Sequence, residues 1–123
     1  MKLITYCDVS KNEKLGVIIN GDMVLDAAEY AKQKGLAGDF SSILNVLRKE
    51  GGLEQLKELV SGVEQENEFC LPVSDILILA PISRQNKILG VALNYHDMCE
   101  RGNLQIPKTL RVFSKYATTV TNP

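Results

Sequence analysis

An α+β fold is predicted for this 123-residue chain, with helices gathered in its first half and strands dominating its second. Three observations carry that reading. An Asn20-Gly21 step separates two apolar, β-branched runs; two amphipathic stripes lie between residues 40 and 63; and apolar strands punctuated by proline and glycine follow residue 69. Helices then strands, without regular alternation, fit segregated layers better than a parallel βαβ sheet. The expected organisation is a small sheet-plus-helices domain over 1–68. An incomplete β-roll or sandwich segment over 69–123 follows it.

Each element has its own warrant. Leu3 to Tyr6 reads as a first strand. Leu15 to Ile19 and Met23 to Leu25 flank Asn20-Gly21, and Asn-Gly suits a type I′ turn because both central residues need positive φ. Ala27 to Lys34 is helix-like and ends at Gly35. Asp39 or Ser41 is placed to cap a second helix whose Phe40, Ile43, Leu44, Val46 and Leu47 share a face; Lys49 and Gly51-Gly52 stop it. A third stripe of Leu53, Leu56, Leu59, Val60 and Val63 marks another helix. These helices are expected to pack on a three-stranded sheet. Glu64 to Glu68 is acidic and aperiodic, and a solvated linker suits its Glu-x-Glu spacing better than a metal site. Val73 to Leu79 and Ile88 to Leu93 then read as strands around Ser83 to Asn86. Tyr95 to Arg101 has room for a helical turn before Gly102. Leu110 to Phe113 is a further strand, and Thr118 to Thr121 a β-branched run.

Composition excludes several classes. An apolar content of 45% and a net charge of −1 belong to an ordinary globular chain. Basic residues scatter along the sequence, so neither nucleic acid nor membrane is an expected partner. The longest apolar run, Ile76 to Ile82, is too short to span a bilayer. The N-terminus alternates and meets Asp8 early, unlike a secretory signal, and a cytoplasmic location is expected. Cys7, Cys70 and Cys99 show neither zinc-ligand nor redox spacing, and small reduced hydrophobes are the plainer reading.

The second half carries a more specific pattern: Leu79-Ala80-Pro81-Ile82, Lys87-Ile88, Leu93-Asn94-Tyr95, and Phe113-x-Lys115 followed by Thr118-Thr119. Over roughly Leu79 to Pro123 this order resembles the opening of the catalytic domain in the fumarylacetoacetate hydrolase superfamily. The resemblance implies a small α+β cap ahead of that domain. It also implies an enzyme acting on an acylpyruvate or another 2-oxo acid by hydrolysis, isomerisation or decarboxylation. In a complete family member a magnesium or manganese ion chelates the substrate oxygens, a His-Glu pair activates water, and a lysine stabilises the developing enolate.

Carried over by position, Lys115 takes the place of that lysine, while Asn94, Tyr95 and Thr118 take substrate-binding places. The family's histidine and glutamate positions hold Met98 and Arg101. The family's metal carboxylates lie downstream of the Phe-x-Lys segment. Only eight residues follow Lys115 and none is acidic, so no metal ligand and no cofactor is expected within this chain. His96, the single histidine, is a poor substitute base, since helical residues two apart point about 200° from each other. The leading reading is therefore the N-terminal part of such an enzyme, truncated in its catalytic domain and inactive alone, whose complete form binds a 2-oxo acid. A non-catalytic interaction domain that kept the scaffold is the alternative. A small α+β binding module unrelated to the family is the third reading. Unpaired strand edges in the second half lead to the expectation of a homo-oligomer.

Overall fold

The computed structural model describes residues 1–82 and 85–123. It contains two compact units, one formed by the chain up to Ile82 together with Thr121 to Pro123, the other by the residues from Gln85 to Val120. Mixed helices and antiparallel strands place the chain in the α+β class, as the sequence predicts.

In the first unit, strand β1 (Lys2–Cys7) pairs with β2 (Glu13–Ile19), which pairs with β3 (Met23–Asp26). The Asn20-Gly21 turn forms, with φ of 51° and 95° at the two residues. Ile19 nevertheless pairs with Met23, so Asp22 is an extra residue in the connection. Helix α1 (Ala27–Gln33) starts at Asp26, whose carboxylate accepts from the Glu29 N–H. Helix α2 (Ile43–Arg48) is capped by Ser42 rather than Asp39 or Ser41. Asp39 instead holds the preceding turn through the Ser41 amide and hydroxyl, which lower its carboxyl pKa. Helix α3 (Gly52–Val60) contributes Leu56 and Leu59 to the apolar cluster shared by helices and sheet.

The sheet has five strands, not three. Residues beyond 68 supply both edges: β4 (Cys70–Pro72) adds to β3, and β5 (Leu77–Leu79) adds to β1, giving the order β4-β3-β2-β1-β5. The run Val73 to Leu79 is thus not one strand; Val73–Asp75 forms a 3-10 turn. The stretch Glu64 to Glu68 connects two elements of a single compact unit. Only four residues separate the two edge strands, and they limit the shape. Five flat strands would hold their outer members about 19 Å apart. Four linking residues, three in a 3-10 turn rising roughly 2 Å each, cannot span that gap comfortably. The sheet therefore curls into a half-barrel.

The curl gives the unit two apolar clusters. On the helical face Leu15, Val17 and Leu25 pack with Tyr30, Phe40, Ile43, Val46, Leu56 and Leu59. Inside the curl Ile4, Tyr6 and Val24 pack with Ile18, Val73, Ile76 and Ile78. A polar network accompanies the inner cluster. The Tyr6 hydroxyl and the Lys14 ammonium both donate to one Asp26 oxygen, each at 2.9 Å. Burial first, and the Asp26 charge second, push the Tyr6 hydroxyl pKa far above its usual value. The bond to Asp26 raises the Lys14 pKa as well.

The second unit is sparser. Strand β6 (Ile88–Ala92) pairs antiparallel with β7 (Arg111–Lys115), and α4 (His96–Arg101) lies in the connection between them. Residues Ala117–Thr119, which overlap the β-branched run Thr118 to Thr121, form a 3-10 turn. The loop expected at Ser83 to Asn86 lies partly outside the described residues.

Candidate active-site corner

The corner after β6 is built by an unusual backbone. Leu93 has φ of +53°, a left-handed conformation that costs a non-glycine residue roughly 1–2 kcal/mol. It turns the chain out of the strand so that Asn94 and Tyr95 precede α4. Cys99 holds this arrangement from beneath. It is buried, its thiol approaches the Leu93 carbonyl at 3.9 Å, and its own carbonyl accepts from the Leu104 N–H at 2.8 Å. The inert reading of Cys99 suits this setting.

The candidate residues fall at two ends of one hairpin. Ala92 pairs with Arg111 at the Asn94 end, and Ile88 pairs with Lys115 at the other. Four steps of about 3.4 Å separate those rungs, roughly 14 Å. Asn94 and Tyr95 therefore lie near Arg111, whereas Lys115 and, three residues on, Thr118 belong to the far end. All four candidates are exposed, Tyr95 by 67%, so its ring is not a core element. Met98 is half exposed, and Arg101 is held by Asp97 at 2.7 Å. On β7, Arg111, Phe113 and Lys115 share one face by strand periodicity. Phe113 lies so close over Gly90 that an added Cβ there would meet its ring at 2.4 Å.

An open concavity of about 200 Å³ sits at the Asn94 end. Asn94, His96, Ile106, Lys108, Thr109 and Arg111 are among the residues that line it. Sequence reasoning missed Lys108 and Arg111 because they looked like scattered surface charge. The period-2 alternation Arg111, Phe113, Lys115 was the signal that could have found one of them.

A metal fits poorly here. Among the described residues, no three His, Cys, Asp or Glu side chains gather where an ion could be held. Asp97 and Glu100, the carboxylates of the second unit, are both exposed. A magnesium ion wants near-octahedral oxygen ligands, and the residues present do not provide them. Glu64 and Glu66 are exposed on a turn where the Asn67 N–H donates to the Glu64 carbonyl.

The α+β layout, the Asn94-Tyr95 corner and the strand bearing Phe113 and Lys115 carry the pattern that the sequence shares with fumarylacetoacetate hydrolases. Comparison with known proteins makes this specific. The chain is 40% identical to the mitochondrial oxaloacetate tautomerase FAHD2A of Bos taurus over 74 residues, 58% of the chain and 24% of that protein. It is 40% identical to the Homo sapiens counterpart over 53 residues, 43% of the chain and 17% of that protein. All of the chain matches a fumarylacetoacetate hydrolase domain-containing protein 2 homolog of Dictyostelium discoideum at 25% identity, covering 38% of that protein. No family profile matches. These matches support membership of the fumarylacetoacetate hydrolase superfamily, and the chain spans between about a sixth and two-fifths of these relatives' length. The expected cytoplasmic location is corrected by the same comparison, because the tautomerases matched are named as mitochondrial.

Proposed function

We propose that this chain supplies substrate-holding groups to an enzyme that interconverts the keto and enol forms of a small 2-oxo dicarboxylic acid such as oxaloacetate, in mitochondria. The observation that carries the proposal is the similarity to proteins named oxaloacetate tautomerase, at 40% identity over 74 residues. Tautomerisation is balanced without an oxidant or co-reactant: a proton leaves C3 and a proton is placed on the C2 oxygen. Cationic and N–H donors assist by stabilising the negative charge that develops on that oxygen. Lys115 is proposed as such a donor, and Asn94, Tyr95 and Thr118 as substrate contacts. A magnesium or manganese ion would supply Lewis-acid stabilisation in a complete enzyme, but the described residues do not fit one. Met98 and Arg101 stand where the resemblance places a general acid–base pair. The chain alone should therefore bind the oxo acid and turn it over no faster than buffer. We further propose a homo-oligomer, with no nucleic acid or membrane partner.

The test is selective broadening of methylene proton resonances in oxaloacetate and in malate, which lacks the oxo group. Oxaloacetate should bind more tightly by about fivefold, about 1 kcal/mol. Equal broadening, or none, would overturn the functional reading. Enol decay followed by ultraviolet absorbance should match buffer. Turnover lost in Lys115→Ala would refute the claim of inactivity.

A further inference from the structure

We propose that the concavity at the Asn94 end of the hairpin is a subsite for a carboxylate of a small organic acid, with Arg111 and Lys108 as its principal ligands. This deepens the proposed function, on which the choice of a 2-oxo acid rests. Its size is the first observation. About 200 Å³ equals the liquid volume of roughly six or seven waters, enough for a small dicarboxylate and below the pockets that hold drug-sized ligands.

Its charge is the second. Asn94, His96, Lys108 and Arg111 all line it, and no Asp or Glu does. Arg101 is engaged by Asp97, and Lys14 by Asp26. Lys108 and Arg111, by contrast, enter no ion pair among the described residues. Residues 85–120 hold five basic and two acidic side chains, net +3, in a chain whose net charge is −1. The excess positive charge is thus gathered in the unit that carries the corner. Two unpaired cations beside one concavity repel each other, and an anion between them relieves that repulsion.

Geometry decides which anion. Arg111 is the first residue of β7, its backbone fixed by pairing with Ala92. A guanidinium anchored on a strand offers two parallel N–H donors, which match the two oxygens of a planar carboxylate. Lys108 adds a point charge, and the Asn94 amide, which also lines the concavity, adds a donor. Ile106 and Pro107 provide an apolar side against which a short carbon chain can rest.

The experiment titrates the full ¹⁵N-labelled chain with malonate at low ionic strength, with neutral malonamide and inorganic phosphate as comparison probes. Malonate should shift the amides of Asn94, His96 and Thr109 to Arg111, with a millimolar Kd. Arg111→Gln and Lys108→Gln should each weaken binding by about tenfold, and Arg111→Lys by less, since charge survives but the fork does not. Lys87→Gln, on an exposed residue at the other end of β6, should leave affinity unchanged. Both ligand side chains are exposed, so a dispersed spectrum will show that the variants remain folded. The proposal is overturned if malonamide binds as well as malonate. It is equally overturned if phosphate is preferred, if Arg111→Gln with Lys108→Gln stays within twofold of the parent, or if no shifts occur. Malonate binding at this locus without preference for oxaloacetate over malate would keep the subsite and remove the keto–enol reading. Preference for oxaloacetate that ignores Arg111 and Lys108 would do the reverse.

Discussion

The two compact units spend the same kinds of residue in opposite ways. The first buries its apolar side chains on both faces of a curled sheet, from Ile4 and Tyr6 inside to Leu25 and Leu56 under the helices. The second leaves them out: Leu89, Val91, Leu110, Val112 and Tyr116 are all at least 40% exposed, and Cys99 is its buried hydrophobe. A two-stranded sheet with one six-residue helix has too little surface to sequester a core. The candidate chemistry lies in that unit. The candidate corner thus belongs to the less buried unit, as binding regions are commonly drawn from the less stable parts of a fold.

The sharpest way to break this contrast is to damage each unit in turn. Leu56→Ala removes a fully buried side chain of the apolar cluster that helices and sheet share. It should cost about 3 kcal/mol, in the usual range for such truncations. Urea unfolding monitored by circular dichroism would measure it. A loss below about 1 kcal/mol would mean that the helical layer is not the core it looks like.

Hydrogen exchange sharpens the same comparison without mutation. Amides of β1 to β3 are bonded on both sides within a five-stranded sheet, whereas those of β6 and β7 belong to a lone pair of strands. The hairpin amides should exchange at least about a hundredfold faster, a difference of about 2.7 kcal/mol in opening free energy. Equal protection would mean that the second unit has stabilising contacts beyond its own hairpin.

What could be read in advance follows the range of the interactions concerned. Asn20-Gly21, the helical stripes and the Gly35 stop are local, and local chemistry decides them. The edge strands Cys70–Pro72 and Leu77–Leu79 were misjudged because each is three residues long and depends on partners about fifty to seventy residues away. Asp39, Ser41 and Ser42 are equally suitable caps by composition, and only the turn that Asp39 makes with Ser41 leaves the role to Ser42. At the candidate site the Asn94-Tyr95 corner was legible as a motif. Its neighbour Arg111 was not, since the register Ala92↔Arg111 is a tertiary fact. The position of Lys115, paired with Ile88 at the other end of the hairpin, is a tertiary fact of the same kind.

A third outcome concerns pH. Tyr6→Phe deletes the hydroxyl that donates to Asp26, while Lys14 and the Glu29 amide still satisfy that carboxylate. The cost should be about 1 kcal/mol at neutral pH. The Tyr6 pKa is raised in the folded state, so its contribution is fully present below the unfolded value near 10 and fades as pH rises past it. Lys14, raised in the same direction, loses its contribution over the same alkaline range. Thermal melting between pH 8 and about 11 should therefore fall in the parent, and fall less steeply in Tyr6→Phe. Parallel curves would show that the buried hydroxyl is not what titrates.

The smallest effect on stability should come from Val112→Lys. Val112 is 54% exposed and pairs with Val91, itself 40% exposed, so the substitution removes little buried area. Its folding free energy should stay within about 0.5 kcal/mol of the parent. Association should respond far more. Leu89, Val91, Leu110 and Val112 lie on one face of the hairpin by strand periodicity, opposite the face of Arg111 and Lys115. An exposed apolar strip of that kind, on a sheet with two free edges, is suited to a second copy of the chain. Sedimentation at rising concentration should show the parent associating and Val112→Lys shifted towards monomer by about tenfold in concentration. A parent that stays monomeric at high micromolar concentration would remove the proposed homo-oligomer. A variant that associates as strongly as the parent would place the contact elsewhere. Because this face and the Arg111 face are distinct, Val112→Lys should also leave the malonate shifts at Asn94 and His96 in place, and their loss would show that the two faces are not independent.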